Sequence, residues 1–156
     1  MNRIYCAIGK VAEVTQFIEM ILIDICESSE VIREFGRHSK MTKEDYDQVL
    51  DDVEYLKDKM QTMTFGQLIG IVHESKSLSY DETKELKELL EKRNYFVHEY
   101  FKYTSYEKAD EAFILDEFNG IKEYLAKLKK VLSRLELIKT NQIDRLNYLK
   151  SKSGLL

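Results

Sequence analysis

The chain has 156 residues, of which 44% are hydrophobic and 33% charged, and its net charge is −4. That composition excludes wholesale disorder, and a chain of this size can bury a core in one domain without disulfides or a structural metal. The negative balance also argues against a general nucleic-acid coat. Proline is absent, so helices can run long and the loops must be closed by Gly, Ser, Thr, Asn and Asp.

The first helix is predicted from about Asn2 to Arg33. Ile4, Ile8, Val11, Thr15, Ile18, Leu22, Ile25, Ser29 and Ile32 alternate by four and three, which makes one continuous stripe. Val14, Phe17 and Ile21 widen it, so contact with two neighbours is expected. The longest apolar run, Phe17 to Ile25, is broken by Glu19 and Asp24, which excludes a membrane span, and no signal-peptide pattern precedes it. Cys6 and Cys26 fall on this same helix about 30 Å apart and cannot pair within it. A reduced, cytoplasmic protein is the expectation.

Gly36 ends the pattern, and residues 34–42 read as a connector. Thr42 caps a second helix, with Glu44 and Asp45 in its first turn and Tyr46, Val49, Val53, Leu56 and Met60 as its apolar positions. Thr64 caps a short third helix from Phe65 to about Glu74. Its Gly66 and Gly70, four apart, would allow close helix approach. After a connector from Ser77 to Tyr80, a fourth helix is predicted from about Asp81 to Tyr103, burying Leu86, Leu89, Leu90, Phe96, Val97 and Phe101. Thr104 or Ser105 then caps a last helix from Tyr106 to about Lys150. Ile114, Phe118, Ile121, Leu125, Leu128, Leu132 and Leu135 form its seam, Lys139 and Gln142 interrupt it, and Gly120 is a candidate bend.

The fold expected is therefore all-α: an antiparallel bundle of about five helices with a long C-terminal helix, in a single domain over 1–156. The stretch 136–156 reads as an extension that protrudes or packs on a second copy. Charge is unevenly spread. Residues 121–156 carry nine cations and three acids, while residues 43–60 carry seven acids and three lysines. The basic stretch is a solvated helix face, or one that meets a phosphate backbone or an acidic partner.

One segment carries specific chemistry: Arg93-Asn94-Tyr95-Phe96-Val97-His98-Glu99-Tyr100. It brings a permanent cation, an imidazole able to take or give a proton, an amide and a phenol within about two helical turns. That set suits phosphodiester cleavage. On an α-helix Asn94 and His98 share a face, so the amide can orient the imidazole, and Arg93 aligns with Tyr100. Arg93 and His98, five apart, diverge by about 140°. A single α-helix would not aim both at one phosphate, and two facing helices would close the site more easily. Arg33 and His38 show the same spacing across a helix end, with neither the Asn nor the Tyr, and are read as coincidence.

The eight residues resemble the R-x4-H-x-Y signature of HEPN-domain proteins, in the variant with Asn after Arg, on the penultimate helix where that family carries it. The resemblance implies an all-helical, metal-independent ribonuclease, a toxin or antiphage effector, with two protomers juxtaposing their motifs across a two-fold cleft. Arg93 and His98 would be catalytic, Asn94 and Tyr100 supporting, and Lys92, Tyr95 and Lys102 candidate RNA contacts, with Tyr103 and Tyr106 close by. The products would be a 2′,3′-cyclic phosphate and a 5′-hydroxyl. A small nucleotidyltransferase antitoxin that modifies Tyr100 is a further implied partner. Two other functions stay open: a non-catalytic HEPN-like module binding protein or nucleotide in the same cleft, and a helical dimerisation protein. No cofactor is implied. No metal site is expected either, because the three histidines lie far apart and the cysteine spacing fits no zinc pattern.

Overall fold

The computed structural model describes residues 2–103 and 110–155, and among them the chain is helical with no strand. Helix α1 spans Asn2–Arg37, α2 Lys43–Gln61, α3 Phe65–Glu74 and α4 Tyr80–Asn94. A π-helical turn, Tyr95–Glu99, and a last α-helical turn, α5 (Tyr100–Tyr103), continue α4 without a break, and α6 spans Glu111–Ser153. The predicted caps at Thr104 or Ser105, like Tyr106 and the side chains of Phe101 and Tyr103, lie outside the described residues. The cap found for α6 is Asp110, whose carboxylate accepts from Phe113 N–H at 2.8 Å.

Three helices in succession begin with the same device. Thr42 with Asp45, Thr64 with Gln67 and Ser79 with Glu82 each form a reciprocal capping box, which satisfies two otherwise orphaned backbone donors. Hydrogen bonds from the Thr42 side chain and backbone hold the Asp45 carboxyl below the usual carboxylate range. At the other end of α1 the helix outruns the predicted stop by passing through Gly36 to Arg37.

Helices α1 and α2 pair antiparallel, as do α4 and α6. Glu27 pairs with Lys57 at 3.0 Å, and Val31 packs with Val53 and Val49, so α2 returns along α1. Glu85 bonds Arg134 while Leu89 meets Tyr124, so α4 descends along α6. The first and last helices, by contrast, lie parallel. Asp24 meets Lys139, Ser29 meets Gln142, and Leu146 packs on the cluster of Val31, Val49 and Val53.

These contacts also correct the expected C-terminal extension. Residues 139–150 do not protrude but dock on α1 and α2 of the same chain, and Lys150 Nζ sits 5.1 Å from the Tyr46 ring centroid. Lys139 and Gln142 occupy the seam because α1 presents polar partners to them: Lys139 Nζ lies 2.6 Å from Asp24 and Gln142 Nε2 lies 2.7 Å from Ser29 Oγ. The α6 seam itself is rotated from the expected one, with Tyr124 and Val131 buried beside Ile121, Leu128 and Leu135. Helix α6 runs through Gly120 without interruption.

The stripe on α1 is the centre of the core, with Ile4, Val11, Thr15, Ile18, Leu22 and Ile25 all fully buried. Burial of each such aliphatic side chain contributes roughly 1.5–3 kcal/mol before the entropy of ordering it is subtracted. Phe17, expected to widen the stripe, is instead half-exposed. Of the two α3 glycines only Gly66 serves close approach: a Cβ there would meet Leu90 Cδ2 at 3.3 Å, while Gly70 has nothing within 4 Å. Cys26 is buried and Cys6 exposed, and both are free thiols. Burial pushes the Cys26 thiol up to about 11, against weaker lowering by hydrogen bonds with Ser77 and Ser75. No helix among the described residues is long and apolar enough to cross a membrane.

Candidate active site at the π turn

The Arg93–Tyr100 segment straddles the point where α4 changes its hydrogen-bond pattern. Tyr100 N–H donates to the Tyr95 carbonyl, five residues back, instead of four. Residues five apart are thereby brought over one another. Arg93 Nη1 lies 3.1 Å from His98 Nε2. The two side chains meet despite the 140° divergence expected for an α-helix, and their contact needs no second protomer.

A guanidinium has donors only, so in this contact His98 Nε2 accepts, and the imidazole's own proton sits on Nδ1. Arg93 Nη1 also donates to Asn94 Oδ1 at 3.1 Å, so Asn94 braces the arginine, where the sequence had suggested that it orients the histidine. The physical reason is the π turn, which takes four-residue neighbours out of register while aligning five-residue ones. Arg93 Nε is buried with no hydrogen-bond partner among the described residues. That donor is uncommitted.

Beneath the pair lies an aromatic floor. The Phe96 ring centroid is 5.3 Å from Tyr124 and 6.0 Å from Tyr100, and Tyr95 packs edge-on against both Phe96 and Tyr100. Such pairs add about 0.5–1.5 kcal/mol each beyond area burial and hold the turn in place. Tyr124 reaches across from α6 and donates its hydroxyl to the Leu89 carbonyl at 2.5 Å, and burial holds that phenol well above the usual range. Tyr100 is fully buried in this floor. A modifying enzyme would have to open the helix to reach its hydroxyl.

Glu19 is the acid that the sequence did not connect to the site. It projects from α1 close enough to Arg93 to feel its charge. Burial raises the Glu19 pKa above its ordinary value, and the arginine pulls it partly back. The signal was present as an acid inside the longest apolar run, where a charge needs a reason.

The candidate RNA contacts separate. Lys92 Nζ sits 5.6 Å over the Tyr124 ring. With Tyr95 it lines a hollow of about 270 Å³ whose other walls include Asp116, Glu117 and Glu123. Three carboxylates against one lysine repel a phosphate backbone on that side. Lys102 is exposed on the turn beyond His98. Arg33 and His38 are not brought together: Arg33 pairs with Glu30, and His38 Nδ1 lies 2.9 Å from the Glu34 carbonyl. Among the described residues no group of three His, Cys, Asp or Glu is placed to hold a metal ion.

Comparison of the chain with protein-family models, with curated proteins and with solved structures gives no significant match in any of the three. The functional reading therefore rests on the geometry of the site and on the motif resemblance.

Proposed function

We propose that this chain is a metal-independent endoribonuclease whose reacting groups are Arg93 and His98. The observation that carries the reading is the 3.1 Å contact between Arg93 Nη1 and His98 Nε2 across a π-helical turn. A helix adopts i→i+5 pairing rarely, and frequently at functional sites. Here the turn joins the two side chains that phosphodiester cleavage would use.

In this reading His98 takes the proton of a ribose 2′-hydroxyl, the 2′-oxygen attacks phosphorus, and the bond to the 5′-oxygen breaks as that oxygen takes a proton from water. The products are a 2′,3′-cyclic phosphate and a 5′-hydroxyl. General-base action of this kind contributes typically about 10²–10⁴-fold. Arg93 leaves the imidazole for the phosphate and offers Nε and Nη donors to the oxygens on which negative charge develops. Asn94 holds the arginine's orientation. Two-fold pairing of protomers, implied by the HEPN resemblance, would set two such pairs along one RNA strand.

Incubation of the purified protein with RNA in EDTA tests this. Cyclic-phosphate ends are expected from wild type and not from His98→Ala, and DNA should survive because it lacks the nucleophile. Wild type, but not His98→Ala, should arrest bacterial growth on expression if the activity serves as a toxin or antiphage effector. Sedimentation of the intact chain reports whether it pairs. Equal cleavage by wild type and His98→Ala would sink the assignment.

A further inference from the structure

We propose a second ligand site, independent of the π turn, that binds a small phosphorylated metabolite between α1, the α3–α4 connector and α6. The groove there has a volume of about 440 Å³, within the range of small-molecule pockets. Gln142 on its wall is eighteen residues, about 27 Å, along α6 from Tyr124, whose ring packs on Phe96 of the π turn.

None of the residues lining this groove is acidic, in a chain whose net charge is −4. Three are cations: Arg33, Lys76 and Arg145. Arg33 is committed to Glu30 on its own helix. Lys76 and Arg145 have no ion-pair partner among the described residues. They are available to an anion, the guanidinium in the two-pronged geometry that suits phosphate.

Two further observations concern residues that line this groove. Lys76 has φ 54°, and it is the sole non-glycine residue with positive φ among the described residues. It closes α3, with Ser77 N–H donating to the Val72 carbonyl at 3.1 Å and Lys76 N–H to that of His73 at 3.2 Å. Glycine ordinarily takes such a position, and a lysine there accepts a conformational cost. Gln142 donates Nε2 to Ser29, which leaves its Oε1 buried with no hydrogen-bond partner among the described residues. An acceptor so placed calls for a donor.

An organic phosphate monoester answers both demands. Its phosphoryl oxygens meet Lys76 and Arg145, and a hydroxyl or amine on its carbon skeleton donates to Gln142 Oε1. Ile138 gives the skeleton an apolar wall. Inorganic phosphate could use only the cations. Selectivity for the monoester over the free ion is thus the signature of the site.

Calorimetric titration of the full chain with inorganic phosphate, ribose 5-phosphate, AMP and adenosine tests this. Ribose 5-phosphate or AMP should bind at least about tenfold more tightly than inorganic phosphate, and which of the two is tighter distinguishes a sugar phosphate from a nucleotide. Adenosine should not bind. Arg145→Ala and Lys76→Gly should each weaken binding about tenfold, while His98→Ala leaves it unchanged. Lys76→Gly relieves the left-handed lysine, so it should melt at or above the wild-type temperature even as binding falls. A merely structural lysine would not show that opposition. Absence of binding at about 10 mM, equal affinity for inorganic phosphate and both monoesters, or affinity indifferent to both substitutions would each overturn the proposal.

Discussion

His98 Nε2 accepts from Arg93 Nη1 at 3.1 Å although five residues separate them, because the intervening turn is wound i→i+5. A π turn is one residue longer than the α turn it replaces. Deleting Glu99, an exposed residue of that turn, should return the segment to α-helix and swing His98 about 140° from Arg93. Circular dichroism should show helix content retained while RNA cleavage is lost. Full activity in a folded deletion variant would show that the winding is irrelevant to catalysis.

Glu19 makes a pH-dependent contribution whose sign follows from its raised pKa. Burial disfavours the carboxylate more than Arg93 favours it, so the folded chain holds that proton to higher pH than the unfolded chain, whose Glu titrates near 4.5. Stability therefore declines as pH rises from the unfolded value through the folded one. Glu19→Gln removes this decline. Denaturant melts of the two proteins from pH 4 to pH 7 should show the variant gaining on wild type as pH increases. A constant difference across that range would refute the assignment.

Tyr124→Phe deletes the hydroxyl that ties α6 to the Leu89 carbonyl, one turn ahead of the motif. A buried neutral hydrogen bond is worth about 1 kcal/mol. The melting temperature should fall by roughly 2–4 °C. Because the same ring underlies Phe96 and Lys92, cleavage should also weaken, and an undiminished rate would separate the floor from the site.

The Asp24–Lys139 pair joins the two parallel helices with side chains that are each about one-third exposed, 32% and 36%. Solvent screens such a pair, so its coupling in a double-mutant cycle with Asp24→Asn and Lys139→Met should be no more than about 1 kcal/mol. Each single change should cost more than the double change, since it leaves one half-buried charge alone. Additive losses would mean that the two groups do not interact.

Much of the bundle can be read from residue types and spacing. Thr42 and Thr64 cap where expected, and the four-three stripe from Ile4 to Ile25 is the core, because local hydrogen-bonding demand and apolar periodicity act at short range. The π turn is different. Its one-residue excess leaves Phe96 and Tyr100 at ordinary helical spacing, so nothing in the apolar pattern marks it, and Arg93 and His98 appear misaligned on paper. Glu19 and Tyr124 were hidden for another reason: they reach Arg93 from helices whose packing partners are set by tertiary contact alone. Lys139 and Gln142 looked like faults in a seam until Asp24 and Ser29 appeared opposite them. The motif residues were visible one at a time, and their arrangement was not.

Ser29 and Gln142 touch although 113 residues separate them in the chain. During synthesis at about 5–20 residues per second, the apolar side of α1 therefore waits roughly 6–23 s for the helix that covers it. Through that interval the nascent protein offers chaperones a long greasy strip. The ribosome must add more than a hundred further residues before α1 finds its cover.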